Sequence, residues 1–184
     1  MRRIVVIGGP GNGKSTMARR LASEFGLAHI EMDGLFHVTD WGSATSDEFR
    51  DGLVAAIERA PEGWVTCGNY LAKSQEIHIE QADTLVWLDL PRVTVTWRTF
   101  KRTMRRWASR EPLYGNDIRE PLDNFYRWDP DKNVIRWAWV HHPIYRAAHH
   151  ARITSGDWDH LDIHHLTSRS AITDYLDGEL ATDR

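Results

Sequence analysis

Residues 8–16 read Gly8-Gly9-Pro10-Gly11-Asn12-Gly13-Lys14-Ser15-Thr16 and follow directly on the apolar run Ile4-Val5-Val6-Ile7. Gly8, Gly13, Lys14 and Ser15 occupy the fixed places of G-x-x-x-x-G-K-[ST]. Glycines let such a loop take positive φ and bring its N–H groups around a polyphosphate. The helix that follows turns its positive end toward the same oxygens. Lys14 adds a point charge for the β- and γ-phosphates, and the Ser15 hydroxyl is a ligand for Mg²⁺. A glycine-rich turn without a ligand is the plain alternative. A strand before the loop and the amphipathic TMARRLASEFG after it, closed by Gly26, weigh against that alternative. The stretch therefore implies a triphosphate cradle at the end of a first strand.

Working outward, LAHIEMD (27–33) is a second short apolar run, so strand, helix and strand predict a parallel pair with a right-handed crossover. Ligands of such sheets lie beyond the carboxyl ends of the strands, which directs Asp33 into the crevice of the loop. Asp33 is the better placed of the pair Glu31 and Asp33; a turn or helix-capping role is the competing reading. The loop GLFHVTDWGSATS (34–46) is rich in turn formers and carries Phe36, His37 and Trp41. These aromatics suit a substrate-binding flap, or simply pack it down. A helix follows from Ser46, with Phe49, Leu53 and Ile57 on its buried face. WVTC (64–67), broken by Gly68-Asn69-Tyr70, and ADTLVWLDL (82–90), stopped by Pro91, are the third and fourth strands.

The segment 92–110, RVTVTWRTFKRTMRRWASR, holds seven Lys/Arg and no acid. Helical spacing lines up Arg98, Arg102 and Arg105 or Arg106, and that density of like charge is unfavourable unless an anion sits there. A phosphate clamp facing the loop is the favoured reading, since the guanidinium fork matches phosphate oxygens. A solvated basic face is the bland one. A nucleic-acid patch is disfavoured by the overall charge of −3. Residues 111–124 are turn-rich and form the middle of an expected lid, 103–130. A long helix is expected from Asp131 to Arg152 with a kink at Pro143, with Trp137 and Trp139 packing it. His141-His142 and His149-His150 raise the question of a metal. Adjacent histidines on a helix face different ways, however, and no cysteine or paired carboxylate completes a site. A fifth strand (161–166) and a helix from Arg169 through Leu180, capped by Ser168, close the chain; residues 181–184 are expected to be a loose tail.

With 184 residues the chain is expected to be one domain, 1–184. Its single cysteine, Cys67, leaves no partner for an internal disulfide and suits a reducing cytoplasm. No apolar run is long enough to span a bilayer, and no signal peptide is expected ahead of the first strand.

Taken together the motifs resemble the P-loop nucleoside monophosphate kinase superfamily. Within it they resemble the small bacterial adenylate kinase-like and DNA topology modulation proteins. The likeness runs nearly the whole chain: the loop, HIEMDGLF (29–36), WVTCGNY (64–70), ADTLVWLDLPR (82–92), RRWASREPLYGNDIRE (105–120), RWAWVHHPIYR (136–146) and HLTSRSAITDYL (165–176). The resemblance implies a three-layer α/β/α fold with a five-stranded parallel sheet, order 2-3-1-4-5, and a helical arginine-rich lid. It implies an ATP site at Gly8, Gly9, Pro10, Gly11, Asn12, Gly13, Lys14, Ser15 and Thr16. Arg98 would lie near the adenine, Arg102 on phosphate, Arg119 across the lid, and Ser168 and Arg169 close to the base. Lys14, Arg98, Arg102, Arg106 and Arg119 would neutralise charge in transfer of the γ-phosphoryl group, with Mg²⁺ on Ser15 and Asp33. Asp33 resembles the acid that shikimate and gluconate kinases set against an acceptor hydroxyl, and Phe36, His37, Trp41, Asn69 and Tyr70 would line the acceptor. Where the pattern has the aspartate of D-G-N-Y this chain has Cys67, which removes an acid that helps to hold Mg²⁺ through water; Asp33 or Asp89 are the expected substitutes. A small-molecule kinase, monomeric or homodimeric, is therefore expected. A slow ATPase or a nucleotide-dependent regulator, even one associated with nucleic acid, is the alternative.

Overall fold

The computed structural model describes residues 2–37, 43–110, 112, 119–120 and 122–182. Five parallel strands form one sheet: β1 Arg3–Ile7, β2 Ala28–Glu31, β3 Trp64–Cys67, β4 Thr84–Leu88 and β5 Asp162–Leu166. Their order is β2-β3-β1-β4-β5, as the resemblance implies. The helices are α1 Lys14–Phe25, α2 Met32–Phe36, α3 Ser46–Glu58, α4 Leu71–His78, α5 Arg92–Ser109, α6 Val134–Ser155 and α7 Arg169–Thr182.

Continuous apolar strands are buried on both faces, and their alternation sorts the core into two layers. Val5, Ile7, Ile30, Leu85 and Trp87 meet Phe49, Leu53, Ile77 and Trp158 on one face. Ile4, Val6, Val65, Cys67, Val86 and Leu88 meet α1 and α7 on the other, through Met17, Ala18, Leu21 and Leu176. No described helix is long and apolar enough to cross a membrane.

Three local differences from the sequence reading stand out. Residues 32–36, expected as the end of the second strand and the start of a loop, form α2, which places Asp33 in its first turn. α4 was not expected. Pro143 lies inside α6, which runs on as one helix from an Asn133 cap whose Oδ1 accepts from Ile135 N–H and Arg136 N–H, both at 3.0 Å. α3 starts at Ser46 as expected, capped by Thr45 in a reciprocal box with Glu48. Trp41 and most of the central part of the expected lid lie outside the described residues.

Candidate functional site

The loop between β1 and α1 has no room for side chains where it turns. Gly8 (φ 141°) and Gly11 (φ 80°) both take positive φ. A Cβ at Gly8 would run into the carbonyl of Leu88, and one at Gly11 into the Val95 carbonyl and, at 2.6 Å, Thr99 Oγ1. The loop thus rests on the end of β4 and on α5. Asn12, buried, ties it down: Nδ2 donates to Gly9 O (3.2 Å) and Oδ1 accepts from Leu90 N–H (2.9 Å). Asn69 holds the near side by accepting the Gly8 N–H at 3.1 Å. Gly13 caps α1 without a side-chain hydrogen bond, so the helix presents its first-turn N–H groups to the cradle.

Lys14 donates to Gly9 O at 3.2 Å. Burial lowers the pKa of its ammonium, while Asp33, Cys67 and Glu31 favour the charged form and Arg102 opposes it. An ammonium held at a cost in solvation, with a helix start behind it, fits a polyphosphate better than any group the protein itself offers.

On the acceptor side Asp33 Oδ1 accepts from Tyr70 Oη at 2.9 Å. The Tyr70 ring packs against Phe36 and Phe49 with centroids 4.9 Å apart in each case, and Phe36 meets His37 edge-on at 5.2 Å. Burial lowers the pKa of the half-buried His37, against the pull of Asp33. Arg50 is turned to Glu76 at 3.0 Å, and Arg59 is exposed beyond the end of α3.

Strand alternation decides which strand-end side chains reach the cradle. Cys67 shares the α1 face with Val65; its thiol lies 3.9 Å from Ser15 Oγ and 3.4 Å from His29 Nε2. Burial pushes that thiol up to about 11, with Glu31 adding to the rise. It is a neutral, buried group beside Ser15 and does not act as an acid or a thiolate nucleophile. Glu31, the other acid at the end of β2, adjoins this thiol. It is the register partner of Cys67 across β2 and β3, and its charge is felt by both Cys67 and Lys14.

Asp89, expected as a substitute acid, is held by groups of β5 and α6. It follows Trp87 on the opposite face, where its carboxylate accepts from His165 Nε2 at 2.9 Å and Arg146 Nε at 3.0 Å. His142 Nε2 lies 4.0 Å from its other oxygen and donates to Leu90 O at 2.9 Å.

Along α5 the buried stripe is Val95, Thr99 and Thr103. Arg98, Arg102 and Arg106 flank it half-buried, and Arg105 is exposed. Arg102 lies near enough to Lys14 to influence its ionisation. Arg119 is exposed, at the edge of the undescribed segment. Ser168 Oγ accepts from Ala171 N–H at 3.0 Å and so caps α7, with the exposed Arg169 next to it. Trp137 stacks on His141, and Trp139, half-exposed, lies 3.8 Å under the Arg92 guanidinium.

Comparison with known proteins agrees with this geometry. The family model of the ATPase family associated with various cellular activities (AAA) matches residues 4–65, the part that carries the phosphate loop. Adenylate kinase of Streptococcus mutans is 31% identical over 97 residues, 45% of either chain. That of Clavibacter michiganensis is 28% identical over 99, 44% of this chain and 50% of its own. The chain thus spans half or less of the length of the curated relatives it matches. The shikimate kinase of Acinetobacter baumannii, solved in complex with shikimate, superposes over 100% of this chain and 93% of its own with a TM-score of 0.52 at 17% identity. Sheet order and phosphate loop define a P-loop, kinase-like protein. The partial sequence likenesses are to nucleoside monophosphate kinases, and the loop and topology are of the same P-loop kind.

Proposed function

We propose that the chain is a kinase that transfers the γ-phosphoryl group of ATP to a hydroxyl of a small acceptor. The observation that carries this reading is that Asp33, held by Tyr70 Oη at 2.9 Å, stands close to the cradle that holds the buried Lys14. The carboxylate is the largest influence favouring the charged form of the buried ammonium. Lys14 and the loop N–H groups bind the triphosphate. Asp33 orients the acceptor hydroxyl and takes its proton as the oxygen attacks the γ-phosphorus, while the bond to the β-phosphate oxygen breaks and ADP leaves with the electron pair. Arg98, Arg102, Arg106 and Arg119 supply positive charge from α5 and the lid. Ser15 would hold Mg²⁺, with Glu31 and Asp33 as the nearby carboxylates; the ion neutralises phosphate charge when bound. Phe36, His37 and Tyr70 form an aromatic wall against the acceptor, and Asn69 supports the loop.

A neutral, hydroxyl-bearing acceptor is favoured over a nucleoside monophosphate. The two arginines between Asp33 and Tyr70 are turned to Glu76 or stand exposed at a helix end, whereas a phosphorylated acceptor needs cations beside Asp33. ADP release measured against nucleosides, nucleoside monophosphates, sugars and hydroxylated acids tests this. ADP formed at one rate whatever is added would overturn transfer and leave hydrolysis. That second reading, a slow ATPase or nucleotide-dependent regulator, is favoured by the neutral Cys67 thiol beside Ser15 where the related pattern has an acid.

A further inference from the structure

We propose that Asp89, His150 and His165 form a binding site for one divalent transition-metal ion of the Zn²⁺ class. This site borders the nucleotide cradle, since Asp89 lines the same cleft as Gly9 and Asn12, but it shares no residue with that cradle. The three residues come from the ends of β4 and β5 and from α6, and one ligand atom of each lies within 4.8 Å of the other two. His165 Nε2 and Asp89 Oδ2 are already 2.9 Å apart. Two ligands bound at about 2.0–2.1 Å and tetrahedral angles lie about 3.3 Å from one another, so this pair needs almost no movement. His150 has to close up to about 1.5 Å, and it is exposed on the helix surface.

The ring of Trp87 fixes both imidazoles. It is buried, stacks on His165 at 3.9 Å with planes 10° apart, and meets His150 edge-on at 4.8 Å. Such support from behind the ligands is what aims an imidazole at an ion. Two imidazoles and one carboxylate are borderline donors that suit Zn²⁺, Ni²⁺ or Cu²⁺ and are poor ligands for Mg²⁺. Three protein ligands leave positions for water. In the bound form His165 takes the tautomer protonated at Nδ1, and Nε2 ligates in place of its hydrogen bond to Asp89.

Arg146 is the competitor: its Nε holds Asp89 Oδ2 at 3.0 Å, yet half its side chain is in solvent, so it can swing away when the ion arrives. The plain alternative is a structural hydrogen-bond cluster in which Arg146 is the permanent counter-ion. The two differ in what removal of Arg146 does.

Chelator-treated protein, without nucleotide, is titrated with Zn²⁺ in competition with a chromophoric chelator, and with Co²⁺ to read its visible ligand-field bands. One Zn²⁺ per chain is expected, bound at least tenfold more weakly by His150→Ala and by His165→Ala and lost in the double variant. His141→Ala and Lys14→Ala are expected to match the wild type, and Arg146→Ala to bind more tightly. Circular dichroism confirms that the variants fold; both histidines are exposed, so truncation leaves the core intact. Wild-type binding no stronger than that of the double variant overturns the site, as does a weaker affinity in Arg146→Ala.

Discussion

β3 and β4 lie on either side of β1, and each delivers a side chain at the same end of the sheet, Cys67 from one and Asp89 three residues farther along the other. Cys67 falls on the α1 face, meets Ser15 and carries no charge; Asp89 falls on the α6 face, is charged, and is claimed by Arg146 and His165. The two strand ends therefore send their polar side chains to opposite faces of the sheet. Residue type alone does not place an acid at a phosphate site, because each step along a strand reverses the face. Glu31, on the next strand over, is the register partner of Cys67 and is the acid proposed to stand in there.

The strongest way to break this comparison is to remove what both sides are measured against. Lys14→Ala is expected to lower turnover by about a thousandfold or more, roughly 4 kcal/mol, by losing the cation of the cradle. Calorimetry with ATP and a turnover assay check it, and unchanged values in both would remove the cradle from the account. Asp89→Asn tests the other side: Arg146 and His165 lose a buried carboxylate, and stability should fall by about 2–3 kcal/mol in denaturant titration.

The α6 face also carries the acid-sensitive part of the core. His78, buried on α4, donates from Nδ1 to Ser74 O at 2.6 Å, and burial pushes its pKa down to about 4 from 6.5. The unfolded chain takes up a proton that the folded chain refuses. Stability is therefore full above about pH 6.5 and declines as pH falls toward 4, by about 2 kcal/mol at pH 5. Denaturant titration at pH 7 and pH 5 should show that loss, and it should shrink in His78→Gln. Cys67→Asp sharpens the contrast from the other side. An acid beside Ser15 should raise turnover and Mg²⁺ affinity about tenfold, near 1.4 kcal/mol, and an unchanged Mg²⁺ dependence would show that Glu31 already fills the role.

Much of this was legible in residue order. Apolar runs bounded by Gly and Pro marked the strands, and the glycine spacing with Lys14 marked the cradle before any coordinates. α2 and α4 were not legible, because five and eight residues are too few for a helical period to show. The direction of Asp89 depends on counting faces from Trp87, and the pairing of Glu31 with Cys67 depends on the register of β2 and β3. The set Asp89, His150 and His165 comes from three elements and has no spacing to read. The adjacent histidines were rightly judged to face apart, but the partners of His150 lay on the strands.

Leu90 has a place in both neighbourhoods. Its amide is held by Asn12 in the cradle, and its carbonyl by His142 of α6. One residue is thus a rivet through two plates. Any drift of that long helix tugs on the loop more than fifty positions earlier in the chain, so nucleotide affinity can be tuned by substitutions that never come near a phosphate.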